Sequence, residues 1–306
     1  MDDWWKPLLE PDGLLLRERA LAEADPDALH VALRSGRLRR VQRGVYLPRT
    51  VEATPLTVAR AAILSSAVPY AVASHDTAAR VHGIALPEAA RREHVTVPGD
   101  ARKRDRADLV FHTRALELGE VELRQGIPVT TVPRTLADLA ARLARLPAVW
   151  ALDDAFRRGL CTPQQVQRAV ANWRGGSGCV QARTALAGAD GRAETILATA
   201  ARLALADAGL PLPRTQFEVL DGAGRFLARL DGAFPEERVG LAFDRRSVHT
   251  AQEVLYRDRA RQNDLMELGW VLLRFTWWDV VEQPGRFVDA VSRTVARRRA
   301  TVHPAR

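Results

Sequence analysis

Two strand-like runs near the C-terminus, Arg229–Phe234 and Val239–Asp244, constrain the fold of this chain most. Their spacing predicts a β-hairpin that carries Asp231 on one strand and Asp244 at the end of the other. A Mg²⁺ site for phosphodiester hydrolysis needs a cage of carboxylates, and Glu194 could supply a third ligand if it faces the hairpin. The hairpin therefore raises the question of whether the chain is a metal-dependent enzyme or a binding protein.

Turn and cap residues divide the chain, which has 306 residues, into three predicted domains. Residues 1–53 are predicted to form a winged helix-turn-helix, residues 54–190 a mixed α/β domain, and residues 191–306 a second α/β domain with a basic tail. In the last domain the predicted order of elements is αβββαβ. The predicted fold class is therefore α/β, with an α+β organisation overall.

The first predicted domain has well-marked helix boundaries. The segment Leu14–Leu21 predicts a short first helix with an apolar face. A second helix begins at Asp25-Pro26, because aspartate caps free N–H groups and proline suits the first helical position, and it ends at Gly36. Two short strands follow within Leu38–Leu47. Two helices before a tight hairpin form the outline of a winged helix-turn-helix.

Positive charge is concentrated on the second helix and on this hairpin. No acidic residue lies between Ala28 and Arg49, and the stretch contains six arginines: Arg34, Arg37, Arg39, Arg40, Arg43 and Arg49. Grouped guanidinium groups bind phosphates, and the net charge of the chain is +8. We therefore expect double-stranded DNA as a partner, with the helix at 26–35 in the major groove and the hairpin arginines on phosphates. The alternative is a solvated basic face without a partner.

Other polar groups give weaker signals. Ser74-His75-Asp76 is a consecutive run, and because catalytic triads are recognised by spatial geometry, it is interpreted as a helix N-cap. His82 and His249 lack partners at a suitable spacing. The loop Gly99–Asp108 carries several basic residues, which could add a second DNA contact or form a solvated run of charge.

Cysteine spacing and hydropathy argue against a zinc-binding protein and a membrane protein. Cys161 and Cys179 form no CxxC or Cys/His cluster, so no zinc site is predicted and both are interpreted as free thiols or core residues. No apolar run approaches the ~20 residues of a membrane helix, and the N-terminus lacks the apolar core of a signal peptide. We expect a cytoplasmic location, no membrane contact, and no cofactor except Mg²⁺ if the hairpin site is active.

Three segments resemble one known family: Gly36–Tyr46, Ala78–Gly83 and Ile127–Asp138. They are similar to the winged helix and the middle region of AbiEi-type antitoxins, the transcriptional regulators of bacterial type IV toxin–antitoxin systems. The resemblance implies that residues 54–190 are an AbiEi-like middle domain and that the winged helix docks on promoter DNA, often as a pair on an inverted repeat. A homodimer and a toxin protein are therefore expected as further partners.

Residues 191–285 resemble a second family, the Vsr-like, restriction-endonuclease-like domain that is often joined to AbiEi-type regulators in actinobacteria. The segments that carry this similarity are Ala208–Pro211, Arg229–Asp231, Phe243-Asp244, Leu268–Trp270 and Leu273–Trp277. Relatives have a second acid four residues after the position of Glu194, on the same helix face, where this chain has Ala198. They also have an acid at the position of Ala242, and Arg245-Arg246 places two cations beside the remaining pair. These departures imply a degenerate, inactive nuclease fold.

The sequence therefore predicts a sequence-specific, antitoxin-like DNA-binding regulator with a degenerate nuclease fold. Two alternatives stay open. One is a Mg²⁺-dependent DNA endonuclease that the winged helix targets, with Asp231, Asp244 and Glu194 as catalytic residues. The other is an antitoxin that neutralises a toxin protein and has no role on DNA.

Overall fold

The computed structural model describes residues 3–87, 92–101, 103–173, 177–244 and 262–302. The fold is mixed α/β, as the sequence predicts, and its described residues form sheets of three, four and five strands. The chain divides into two compact units. One comprises Met1–Ala144 and Leu160–Leu186, and the other comprises Arg145–Gly159 and Ala187–Arg306.

The first unit begins with a three-stranded antiparallel sheet of order β1-β3-β2 and two helices. These elements are β1 (Leu15–Leu16), α1 (Arg17–Glu23), α2 (Pro26–Arg34), β2 (Leu38–Gln42) and β3 (Val45–Pro48). The helix predicted over Leu14–Leu21 is only partly correct, because Leu15 and Leu16 pair with Tyr46 and Val45 of β3. Leu15 is fully buried in this pairing, so the helix starts at Arg17.

The ends of α2 follow the prediction. The carboxylate of Asp25 accepts the N–H of Asp27 at 3.0 Å, with proline at the first helical position. At the other end Gly36 has φ of +70°. The N–H groups of Gly36 and Arg37 reach carbonyls in the last turn of α2, both at 3.1 Å. This is the hydrogen-bond pattern of a glycine-closed helix, and it directs the chain from α2 straight into β2.

The rest of the first unit surrounds a five-stranded sheet of order β6-β5-β4-β8-β7. Its strands and the helices of this stretch are α3 (Pro55–Ser66), β4 (Val72–Ala73), α4 (His75–His82), β5 (Glu93–Thr96), β6 (Leu109–His112), β7 (Val121–Arg124), β8 (Ile127–Thr130), α5 (Val132–Arg142), α6 (Arg145–Arg157), α7 (Pro163–Ala171) and α8 (Cys179–Ala187). The pairs β5–β6 and β4–β8 are parallel. Of these helices, α6 belongs to the second unit.

A buried arginine organises the centre of the first unit. Arg134 is 1% exposed, and its Nε lies 3.1 Å from both carboxylate oxygens of Asp138. Its Nη1 donates to Glu120 at 2.5 Å and to the carbonyl of Ala115 at 3.0 Å. Burial raises the pKa of Asp138 to about 6, and the Arg134 guanidinium opposes this rise. The arginine thus allows two carboxylates to lie in the interior.

The second unit contains a four-stranded sheet of order β12-β11-β10-β9, in which β11 and β12 are parallel. Its elements beside α6 are α9 (Ile196–Asp207), β9 (Arg214–Leu220), β10 (Phe226–Phe234), β11 (Val239–Phe243), α10 (262–267), β12 (Val271–Phe275), a π-helical turn (Trp278–Glu282) and α11 (Pro284–Val302). This order contains the αβββαβ series that the sequence predicts for this part of the chain.

A buried aspartate on α6 fixes the start of this unit. Asp153 is fully buried and accepts the N–H groups of Asp190 and Gly191 at 2.8 and 3.1 Å. Its second oxygen accepts from the Thr199 hydroxyl and the Arg202 guanidinium of α9, both at 2.8 Å. These bonds explain why α6 packs with α9, although it precedes two helices of the first unit in the chain.

The helix α9 begins later than the sequence predicts. The hydroxyl of Thr195 accepts the N–H of Ala198 at 3.1 Å and caps the helix, which starts at Ile196. Glu194 therefore precedes the helix, and the prediction that Glu194 and Ala198 share a helix face is wrong. Among the helices of the described residues, none has both the length and the apolar content that a membrane crossing requires.

Replacing the central arginine should strongly destabilise the first unit. We expect Arg134→Ala to lower the free energy of unfolding by about 3–5 kcal/mol, because the carboxylates of Glu120 and Asp138 would stay buried without their partner. Arg124→Ala, which removes an exposed arginine paired with Glu122, should cost only about 0–1 kcal/mol. Urea denaturation of both variants measures the difference, and equal costs would contradict the role of Arg134.

The cost of Arg134→Ala should also depend on pH. Without the guanidinium the pKa of Asp138 in the folded state rises further above its unfolded value. A carboxyl group whose pKa is raised on folding stabilises the fold when protonated and loses that contribution as pH rises through the folded pKa. We therefore expect the variant to lose less stability at about pH 5 than at about pH 8.

Candidate nucleic-acid interface

The β2–β3 hairpin forms one wall of a basic cleft. In the register of the two strands Arg40 lies opposite Tyr46, and both residues line a cleft with a volume of about 670 Å³. The basic side chains of the cleft are Arg17, Arg40, Arg43, Lys103 and Arg106. Within the described part of the chain, no acidic side chain lines it. Such a cleft suits a phosphate group, since it offers cationic donors from several directions.

Two hydrogen bonds to the backbone of Arg43 hold the turn of the hairpin in place. The N–H of Arg43 donates to the carboxylate of Asp108 at 3.2 Å, and the carbonyl of Arg43 accepts from the Ser65 hydroxyl at 2.8 Å. The guanidinium of Arg106 donates to the carbonyl and hydroxyl oxygens of Ser65 at 2.9 and 2.7 Å. The backbone of the turn is thus fixed, while the Arg43 side chain is exposed.

Charge around the turn is only partly balanced. The carboxylate of Asp108 lies 3.4 Å from Nε of Arg106 and also accepts the Arg43 N–H. One acid therefore stands beside a group of five basic side chains. Their field stays positive, which attracts a polyanion and is screened by salt.

The six arginines of the predicted DNA-binding stretch have different surroundings in the structure. Arg40 and Arg43 face the cleft, whereas Arg39 donates from Nη2 to the carbonyl of Val51 at 2.8 Å. Arg37 lies over the ring of Trp5, with 4.9 Å between the guanidinium carbon and the ring centroid. The two arginines at the ends of the stretch, Arg34 and Arg49, are exposed.

The outer face of α2 carries a mixed set of side chains. His30, Val31 and Arg34 are exposed on it, while Leu29 and Ala32 are buried in the core of this part. Val31 is 47% exposed, so its side chain is available for an apolar contact. The face therefore offers the hydrogen-bonding nitrogens of His30, the apolar side chain of Val31 and the positive charge of Arg34.

Sequence reasoning missed part of the cleft. Arg17 was not among the predicted contacts, and the loop with Lys103 and Arg106 was expected to add a second DNA contact or to form a solvated run of charge. Arg17 reaches the cleft because β1 pairs with β3, which brings the start of α1 beside the turn. No local sequence signal indicates this, because it depends on pairing between distant segments.

The carboxylates predicted as nuclease ligands each contact the protein. Oδ2 of Asp231 accepts the N–H of Phe243 at 2.8 Å, and Glu194 pairs with Arg229 at 3.2 Å. Oδ1 of Asp244 lies 3.7 Å from Nε of Arg274. Within the described residues these three carboxylates do not form a group close enough to share a metal ion.

Part of the predicted nuclease motif lies outside the described residues. This applies to Arg245-Arg246 and to His249. Ala242, which stands at the position of an expected acid, is described and pairs with Arg274 of β12 in the parallel register. An arginine is thus the neighbour of the position where the acid is missing.

Comparisons with known proteins identify the middle of the chain. Residues 60–187 match the model of the AbiEi antitoxin C-terminal domain. Two relatives, named as uncharacterized proteins Rv2248 and MT2308 of two Mycobacterium tuberculosis strains, are each 34% identical over 273 residues. The alignments cover 89% of this chain and 97% of each relative. This chain belongs to their family.

The family match confirms the resemblance stated for the middle region. Both Ala78–Gly83 and Ile127–Asp138 fall within the matched residues, which place an AbiEi antitoxin domain in this chain and suggest a toxin–antitoxin role. Among solved structures, the crystal structure of the RV2827C protein from Mycobacterium tuberculosis matches 57% of this chain and 71% of its own, at 16% identity and a TM-score of 0.41. Those values are too low to establish a common fold.

Removing the hydroxyl under the turn should loosen the hairpin without changing its charge. Ser65→Ala deletes the donor to the Arg43 carbonyl and an acceptor of Arg106, at a cost of about 1–2 kcal/mol. We expect faster amide hydrogen exchange over residues 38–48, measured by mass spectrometry. The matched control is Ser66→Ala, whose hydroxyl bonds to neighbouring backbone at Ile63 and Val68. Equal exchange in both variants would contradict this role of Ser65.

Proposed function

We propose that this protein is an antitoxin-like transcriptional regulator that binds double-stranded DNA through α2 and the β2–β3 hairpin. The observation that carries the proposal is the cleft that joins Arg40 and Arg43 of the hairpin to Arg17, Lys103 and Arg106. Each of these groups can donate to phosphate oxygens, and arginine can do so with two parallel hydrogen bonds. The match to an AbiEi antitoxin domain supports the antitoxin part of the proposal.

The docked turn supports phosphate binding by the hairpin. Because the backbone of Arg43 is bonded on both sides, binding need not order this turn, and the entropic cost of association is reduced. Only the long side chains lose freedom when they contact a phosphate. In this proposal the hairpin sets the position of the protein on the duplex, since phosphate contacts fix register but carry no base sequence.

The helix α2 is proposed to read bases in the major groove. His30 and Arg34 can hydrogen-bond to base edges, and arginine prefers O6 and N7 of guanine. The exposed Val31 can contact the methyl group of thymine. The acids of α2, Asp25 and Asp27, lie at its N-terminal end, so its charge becomes more positive toward Arg34 and the hairpin.

The second unit is proposed to serve in dimerisation, partner binding or added DNA affinity. A homodimer would present two copies of α2 to an inverted repeat, as the family resemblance implies. A toxin protein is the further partner that an antitoxin role requires. Asp231, Glu194 and Asp244 of this unit each contact other groups of the protein, and within the described residues they form no group close enough to share a metal ion.

The phosphate contacts can be tested through the salt dependence of binding. We expect Arg40→Ala/Arg43→Ala to weaken binding to every DNA sequence and to reduce the slope of log K against log[salt] by about 1.8, or ~0.9 per lost contact. Mobility shifts with the promoter fragment of its own gene, at several salt concentrations, measure this slope.

The matched control removes the same charge elsewhere in the first unit. Arg168 of α7 and Arg183 of α8 are exposed, and Arg168→Ala/Arg183→Ala should leave the slope unchanged. If both double variants lose the same affinity, the effect reflects net charge and the proposed interface is wrong. If the wild-type protein binds no DNA but neutralises a toxin, the alternative of an antitoxin without a role on DNA is correct.

The endonuclease alternative predicts metal-dependent cleavage of DNA, whereas the proposed function predicts none. We expect supercoiled plasmid to stay intact when the full chain is incubated with Mg²⁺ or Mn²⁺. Asp231→Asn should lower the free energy of unfolding by roughly 1–3 kcal/mol, because it weakens the acceptor of the Phe243 N–H. Metal-dependent cleavage that Asp231→Asn abolishes would overturn this part of the proposal.

A further inference from the structure

Three histidines that are far apart in the sequence meet inside the first unit. His75 begins α4, His94 lies on β5 and His112 ends β6. Nδ1 of His94 is 2.9 Å from Nε2 of His112, and the rings of His75 and His112 are stacked with 3.5 Å between centroids. One nitrogen from each residue lies within 4.8 Å of the other two.

The sheet and one unusual backbone conformation bring the rings together. In the parallel pair β5–β6, His94 lies opposite Val110 and His112 opposite Thr96, so both histidines point to one face of the sheet. His75 has φ of +50°, a left-handed conformation that costs energy in a non-glycine residue. This conformation places the ring of His75 against the rings of His94 and His112.

The contact of Ser74 differs from the helix cap that the sequence predicts. Ser74 occupies the N-cap position of α4, but its side chain makes no capping hydrogen bond. Its hydroxyl instead lies 3.0 Å from Nδ1 of His75. The N-terminus of α4 therefore has no side-chain cap from Ser74. The Ser74 hydroxyl orients the imidazole ring of His75 instead.

Burial disfavours the protonated form of all three imidazoles. Burial lowers the pKa of His94 to about 3 and that of His112 to about 4. Burial also lowers the pKa of His75 well below its ordinary value, with the neighbouring histidines adding to the effect. A neutral imidazole keeps a lone pair for a metal ion, whereas a protonated one cannot bind it.

Neighbouring polar groups occupy the outer nitrogens of the cluster. Ser74 contacts Nδ1 of His75, and the carboxylate of Asp76 lies 3.6 Å from Nε2 of His94. Metal-binding histidines commonly have a carboxylate or hydroxyl partner at their second nitrogen, which fixes the tautomer. Arg142 pairs with Asp76, and its charge adds to the burial that lowers the pKa of all three histidines.

The cluster adjoins a cavity through which an ion could enter. His75 and His112 line a cavity with a volume of about 610 Å³, together with Arg142, Asn172 and Trp173. His94 lies behind them and is 5% exposed. The cavity therefore gives direct access to the rings of His75 and His112.

We propose that His75, His94 and His112 form a three-histidine site for a divalent transition-metal ion such as Zn²⁺, bound through Nε2, Nδ1 and Nε2. Zinc binds imidazole nitrogen at about 2.0–2.1 Å, so two such nitrogens of a tetrahedral site lie roughly 3.3–3.4 Å apart. His94 and His112, at 2.9 Å, would have to separate by about 0.4 Å, and the stacked rings of His75 and His112 would have to turn so that their lone pairs reach one ion. Three protein ligands also leave a coordination position for water or a small anion from the cavity.

The bound ion would link α4 to β5 and β6 and stabilise the first unit by mass action. A purely structural alternative explains the same contact as a hydrogen bond between neutral His94 and His112. The two explanations differ in whether the folded protein binds a metal ion in a fixed ratio. The inference does not rest on DNA binding, and its test needs no DNA.

The test uses the full chain after treatment with a chelator and dialysis. We expect titration with Co²⁺ to give visible absorption bands that saturate at one ion per chain, and Zn²⁺ to displace the cobalt and raise the melting temperature. His94→Gln/His112→Gln should abolish the bands and the thermal shift. Glu23→Gln, which replaces an exposed carboxylate on α1, should leave both unchanged.

Further variants keep the result interpretable if the double variant does not fold. His112→Asn alone changes a cavity-lining ligand and should weaken cobalt binding by more than the roughly 10–100-fold that loss of an outer partner costs. Ser74→Ala should weaken it within that range. The proposal is overturned if the folded wild-type chain shows no saturable cobalt bands, or if the His112→Asn protein binds cobalt as tightly as the wild type.

Discussion

The proposed interface depends on one constraint. The turn of the β2–β3 hairpin is bonded to the part of the first unit that contains the five-stranded sheet. Arg43 is bonded through its N–H to Asp108 and through its carbonyl to Ser65. Both bonds come from segments that follow the hairpin in the chain, so the turn has one position relative to Lys103 and Arg106. The cleft exists because of this docking, and a hairpin that moved freely would offer Arg40 and Arg43 without a defined geometry.

Arginine has two different roles in this protein, and composition does not distinguish them. Arg134 and Arg202 are almost fully buried and pair with carboxylates in the cores of their units. Their planar guanidinium groups satisfy several acceptors at fixed angles, which lysine cannot do. Exposed arginines such as Arg40 and Arg43 keep their charge available for phosphates. The number of arginines therefore overstates the number of cationic side chains that DNA would meet.

Two polar clusters differ in what their geometry allows. The carboxylates Asp231, Glu194 and Asp244 each contact a group of the protein and are not gathered around a point. One nitrogen from each of the three histidines lies within 4.8 Å of the other two. The sequence motifs pointed to carboxylates of the second unit, whereas the metal site that we propose lies in the first unit and has no sequence motif.

Local features of the sequence determined the helix ends and the hairpin. Asp25 and Gly36 bound α2, and Thr162 forms a capping box with Gln165 at the start of α7. These bonds join residues only two to five positions apart, so a short stretch of sequence contains both partners. Tertiary structure alone decided that Leu15 pairs in a strand and that three distant histidines meet. Those outcomes depend on pairing between remote segments, where the gain from burial outweighs local preference, and no short stretch of sequence contains both partners.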